Sequence, residues 1–190
     1  MSSASRVNPS LSVPMLAPLQ GLYAAAGRPL PEWTGVLGND VPEPYRTLLV
    51  HERDMTRTLE HFHRGRIHLR VLSSRREGDV YWRESVLEVD DPLRRAEYGA
   101  IQIFLDRFPE PWRSQILGEH LPLGGILNSS GMAYTSRPSA YFRCYPDAFI
   151  SAALRLVGSP VLYGRRNTLS GGEGLPLAEI VEILPPKDGG

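Results

Sequence analysis

The order of predicted elements gives an α+β fold built on an antiparallel sheet. Two patterns carry this reading. Residues 66–74 and 80–89 alternate polar and apolar side chains on either side of the polar turn 75–79, and a second strand pair flanks the turn at Ser170 to Gly174. Helical segments fall between such hairpins rather than after every strand, which separates the chain from a strict βαβ repeat. No internal repeat is present.

Taken in order, residues 1–44 are rich in Ser, Pro, Gly and Ala, and Pro9, Pro14, Pro18, Pro29, Pro31, Pro42 and Pro44 interrupt any long helix or strand. This segment reads as a tail or as an arm laid over the domain. Trp33 and the apolar residues between Leu11 and Leu19 favour something to pack against. The organised domain is expected over 45–190. It opens with a helix, a break at 51–54 and a second helix capped by Asp54, with Leu48, Leu49, Met55, Leu59 and Phe62 at helical spacing. The first hairpin follows and is closed by Asp90-Asp-Pro92. A third strand is predicted over 98–108, ended by Pro109 and Pro111, then a short helix over 112–119 and a glycine turn at Leu121-Pro-Leu-Gly-Gly125. Residues 126–145 predict one strand near Tyr141 to Tyr145 and a loop at 136–139. A helix over 147–157 and the two final strands complete the chain.

Composition narrows the function classes. The chain has 190 residues, 42% hydrophobic and 22% charged, the proportions of one globular domain with a real core. Its 21 Lys+Arg balance 21 Asp+Glu, so no global field favours nucleic acid or an anionic membrane, and charge selectivity must be local. The single cysteine, Cys144, excludes an internal disulfide and a Cys-based zinc site, which fits a reducing, cytoplasmic setting. No stretch approaches the roughly 20 apolar residues of a membrane span.

Several constellations could carry chemistry. His61, His63 and His68 lack the convergent spacing and acidic partners of a metal site, so no metal is expected there. Ser170-Gly-Gly172 leads into a strand without the Lys-Ser/Thr of a phosphate loop, and no G-x-S-x-G element is present. Arg83 differs in kind. It lies inside a predicted strand, where Tyr81, Arg83 and Ser85 share one face and Trp82, Glu84 and Val86 the other. On a buried face it would require an anionic partner, because an unpaired buried charge is costly; an edge or solvent-facing position is the alternative. Glu182, near the end of the last strand, raises the same question. A one-residue slip would exchange its face with that of Val181 and leave Glu179 as the strand acid. Arg165 and Arg166 precede it within one hairpin.

Five segments in order resemble the chorismate pyruvate-lyase family, including its divergent bacterial branch. They are Arg53-Asp-Met-Thr-Arg-Thr-Leu59, Tyr81-Trp-Arg-Glu-Ser-Val-Leu87, Leu121-Pro-Leu-Gly124, Leu162-Tyr-Gly-Arg-Arg166 with Leu169-Ser-Gly-Gly172, and Val181-Glu-Ile-Leu-Pro185. The resemblance spans about residues 45–186. The hairpin turn 75–79 is shorter than in the best-known members, residues 128–145 follow the family poorly, and the proline-rich arm has no counterpart in it.

The resemblance implies an antiparallel sheet with helices packed on one side, enclosing a ligand cavity, and a lyase that converts chorismate to 4-hydroxybenzoate and pyruvate without a cofactor. It implies that Arg83 holds a ligand carboxylate, that Met55 and Leu123 contact the same ligand partly through backbone N–H groups, and that Glu182 sits near the ring hydroxyl. Arg165 or Arg166 would assist a second carboxylate. Such chemistry requires anion anchoring, a proton relay and a water-poor cavity. The alternatives are another chorismate-derived or aryl-carboxylate substrate, or an aryl-acid-binding protein without catalysis. The expected partner in each case is a small molecule, with no nucleic acid and no membrane span.

Overall fold

The structure, a computed structural model, describes residues 16–90 and 94–186. The expected turn residues Asp91 and Pro92, and the arm before Leu16 with Leu11, Pro9 and Pro14, lie outside the described residues. Seven strands form one sheet: β1 (Trp33–Val36), β2 (Ile67–Glu77), β3 (Val80–Val89), β4 (Arg95–Phe104), β5 (Tyr134–Cys144), β6 (Leu162–Gly171) and β7 (Pro176–Leu184). Their spatial order is β1-β5-β6-β7-β4-β3-β2, and every neighbouring pair is antiparallel. The α+β fold class with an antiparallel sheet is as expected.

The first hairpin closes more tightly than the predicted turn. Glu77 pairs with Val80, leaving a two-residue loop of Gly78 and Asp79, and Gly78 has φ +58°, a conformation that glycine adopts without a Cβ penalty. The third strand starts earlier than predicted, at Arg95, and a 3-10 turn over Leu105–Arg107 follows it. β5 overturns the expected loop at 136–139. It runs through Pro138, which sits at a register shift between Pro138 and Ala140, a bulge of the kind that accommodates proline in a sheet.

Helices cover both faces. α2 (Tyr45–Leu49), α3 (Met55–His63), α4 (Trp112–Leu117) and α5 (Leu123–Ser130) share cores with the face carrying Tyr81, Leu87, Ile101 and Ile180. α1 (Ala17–Ala25) and α6 (Ala148–Leu154) cover the other face, packing on Val86, Tyr98, Ala100, Phe142 and Val181. The one-sided arrangement of helices is therefore corrected. The central strands carry buried apolar side chains on both faces, so each face requires a layer over it.

Local signals explain the helix ends. The Asp54 carboxylate accepts the Arg57 N–H at 3.0 Å and Asp147 accepts that of Ile150 at 2.8 Å, the N-cap arrangement. α1 begins with Pro18 in its first turn, where a missing N–H has no intrahelical role. Its residues Leu19, Leu22 and Tyr23 are buried, and β1 pairs with β5, so residues 16–44 lie over the sheet and extend it. α5 replaces the predicted glycine turn: Gly124 and Gly125 lie in its first turn, and burial of Leu123, Ile126 and Leu127 outweighs their poor helix propensity.

Candidate functional site

Two helix N-termini converge on one face of the sheet. α3 begins at Met55 behind Asp54, and α5 begins at Leu123 behind Pro122, with no side-chain cap on α5. Their approach requires glycine at position 124, because a Cβ there would stand 2.7 Å from Thr56 Oγ1 and 3.1 Å from Asp54 Oδ1. The first N–H groups of a helix lack intrahelical acceptors and carry the positive end of its dipole, so two such ends suit an anion.

Below them lies an internal cavity of about 60 Å³, lined by Met55, Leu123, Ser85, Glu97, Asn167 and Glu182 among others. Gly99 lies opposite Ser85 on β3 and opposite Glu182 on β7, and a Cβ there would meet Glu97 Oε1 at 3.1 Å.

Arg83 stands on the same face, two residues along β3 from Ser85 and opposite Ile101, both of which line the cavity. It is 3% exposed. Among the described residues no carboxylate lies within ion-pair distance, and Nε and Nη1 have no protein acceptor. Burial pushes its proton affinity down, offset by the Tyr81 hydroxyl and, farther off, by Glu119. Tyr81 itself donates to Glu119 Oε1 at 2.5 Å, and burial with that bond pushes its hydroxyl up to about 12. Arg83 is thus a buried cation whose charge is only distantly balanced.

Glu182 lines the cavity, while Glu179 lies on the opposite face with Arg166 Nη2 at 2.8 Å and Thr168 Oγ1 at 3.0 Å. Arg166 therefore points away from the cavity. Arg165 is fully buried and pairs with Glu182 through Nε. Its remaining donors go to the carbonyls of Leu49 (3.1 Å), His51 (3.0 Å) and Arg53 (3.3 Å), so it ties the loop between α2 and α3 to the sheet. The same cation, Arg53 and above all burial push His51 down to about 4. Sequence reasoning brought Met55, Arg83, Leu123 and Glu182 to this region, and Arg165 joins them as the partner of Glu182.

Three residues escaped it. Glu97 is 4% exposed, with Oε2 lacking a partner. Burial and the neighbouring Glu182 raise its proton affinity well above the carboxylate range, against the opposing pull of Arg165. A carboxylate inside the apolar run of β4 was the available signal. Asn167 and Ser136 bond to each other (Nδ2 to Oγ, 3.0 Å) behind the cavity, and nothing in their sequence context marks them.

Among the described residues no group of His, Cys, Asp or Glu could hold a metal ion, and no helix is long and apolar enough to cross a membrane. His68 contacts Asp90 at 2.7 Å, and His63 stacks edge-on against Phe62. Burial pushes the Cys144 thiol up to about 12, an unreactive state.

Comparison with protein-family models found no match, and comparison with curated proteins found none. Solved structures do match. The effector domain of PhnF from Mycobacterium smegmatis is 12% identical, with a TM-score of 0.55 over 72% of this chain and 90% of that one. A structure of PhnF from the same organism also gives 12% and 0.55, covering 91% of this chain and 96% of that one. The gene product SA0254 of Staphylococcus aureus is 10% identical, with a TM-score of 0.52 over 65% and 85%. At these identities the likeness is one of fold, the chorismate lyase-like α+β arrangement.

Proposed function

We propose that this domain binds a small aryl or cyclic carboxylic acid between the sheet and the N-termini of α3 and α5, without turning it over. The ligand carboxylate meets Arg83 and the first N–H groups of α3 and α5 at Met55 and Leu123. Its ring lies on Ile101 and Ile180, and its far end faces Glu97 and Glu182. The single observation that carries this reading is Arg83, a 3%-exposed guanidinium with two donors lacking protein acceptors. A charge-assisted hydrogen bond from either one to a ligand carboxylate would also balance the buried charge. The cavity of about 60 Å³ is smaller than such an acid, so uptake moves α3 and α5 away from the sheet. The fold likeness to a protein module called an effector domain is in keeping with binding.

Conversion of chorismate to 4-hydroxybenzoate and pyruvate is the second reading, favoured by the grouping of Met55, Leu123 and Glu182 around one cavity. Against it stands the ion pair of Glu182 with Arg165, which engages the carboxylate expected to handle the hydroxyl end. Incubation with chorismate separates the two. Thermal stabilisation by 4-hydroxybenzoate with no pyruvate released supports binding alone; pyruvate release that is lost in Arg83→Ala supports the lyase; neither response overturns both readings.

A further inference from the structure

A second, larger recess lies on the surface beside the internal cavity. It measures about 560 Å³, within the range of small-molecule sites, and runs between α2, α3, the C-terminal end of α5 and the start of β5. Its apolar floor includes Leu48 and the half-covered ring of Phe62, and Tyr134 stands at one side. Three guanidinium side chains, Arg53, Arg57 and Arg137, border it, and none forms an ion pair with a carboxylate among the described residues.

The acids in the same recess leave this charge uncancelled. They are Glu52 and Asp54. Asp54 is already committed, with Oδ1 accepting the Arg57 N–H at 3.0 Å and Oδ2 lying 3.4 Å from the Tyr134 hydroxyl. Three cations then face two carboxylates, a net charge of one positive beside an apolar surface, with Asp54 held in place and Glu52 the only acid here without a hydrogen-bond partner among the described residues. Arginines presented in this way recognise oxyanions by paired N–H contacts.

We propose that this recess is a separate binding site for an organic oxyanion, a phosphate or carboxylate carried on an apolar body, with the anion on Arg57 and Arg137 and the body on Leu48 and Phe62. It does not depend on what the internal cavity binds. The two are divided by one layer of side chains: Asp54 lines both, and Ser136 on the outer side bonds to Asn167 on the inner side. A ligand in the recess therefore sits against the wall of the internal cavity.

The test is a titration of the full chain with phenyl phosphate and, separately, phenylacetate, followed by amide NMR shifts. Saturable shifts at residues 53–58 and 134–137 are expected, unchanged in Arg83→Met and weakened by about tenfold or more in the Arg57→Ala/Arg137→Ala double variant, a loss of about 1.4 kcal/mol. Tighter binding of phenyl phosphate assigns the site to phosphate esters, and equal binding to either oxyanion. Both arginines are exposed, so the double variant keeps its fold. Shifts confined to residues near 83, 97 and 180–182 would overturn the proposal while leaving the internal site standing. Absence of saturable shifts, or shifts that survive the double replacement, would overturn it as well.

Discussion

Glu97 and Glu182 meet at one end of the internal cavity on adjacent strands and share a single cation, Arg165. Arg165 commits its Nε to Glu182, which leaves Glu97 Oε2 without a partner. Two buried carboxyls beside one guanidinium are most stable with one proton between them, and burial places that proton on Glu97.

The pH dependence follows from this. The folded-state pKa of Glu97 is raised above its ordinary value of 4.5. Its contribution to stability is thus fully present below that value and is lost as pH rises toward the folded pKa, at up to about 1.4 kcal/mol per pH unit. Glu97→Gln removes the ionisation. Urea unfolding from pH 5 to pH 9 should show wild type losing stability relative to Glu97→Gln, with the variant ahead by about 1 kcal/mol or more at the alkaline end. Parallel curves would contradict the assignment.

Arg83→Met should separate stability from binding. Removing a buried charge with unsatisfied donors is expected to stabilise the free protein by about 1–3 kcal/mol, since the donors lose a desolvation penalty and the site gains an apolar side chain. The stability gain should accompany loss of aryl-acid binding, the trade expected of a functional site. Denaturant midpoints with and without 4-hydroxybenzoate measure both.

Arg165→Met should behave in the opposite sense. It strands the Glu182 carboxylate and frees the carbonyls of Leu49, His51 and Arg53, so a loss of about 3–5 kcal/mol is expected. A change below about 1 kcal/mol would show that the α2–α3 loop does not depend on this clamp.

Gly124→Ala tests the approach of the two helix N-termini. The added Cβ would stand 2.7 Å from Thr56 Oγ1, and the expected cost is about 1–3 kcal/mol. Combining it with Thr56→Ala should recover part of that loss, a coupling that a double-mutant cycle measures.

The parts legible in the sequence are those set by short-range pattern. Alternation marked β2 and β3, the Ser170 to Gly174 turn marked β6 and β7, and Asp54 was readable as a cap because an aspartate precedes an apolar run at helical spacing. α5 was not legible, since Gly124, Gly125, Ser129 and Ser130 are poor helix formers that tertiary packing overrides. β5 was hidden by Pro138, which is tolerated only because a bulge falls there. α1 was hidden by the prolines around it, although Pro18 occupies a permitted first-turn position. In the site, Arg83 and Glu182 stood out as charges within strands. Glu97 did not, because the strand was placed one residue too late to include it. The separate roles of Arg165 and Arg166 depend on strand parity, which a one-residue slip would have reversed.

The most direct test of the central claim is calorimetric titration of 4-hydroxybenzoate into wild type and Arg83→Met at neutral pH. The account predicts saturable one-site binding to wild type and a loss of about tenfold or more in affinity for a variant that remains folded. Undiminished binding to the variant, or none to wild type, would contradict it.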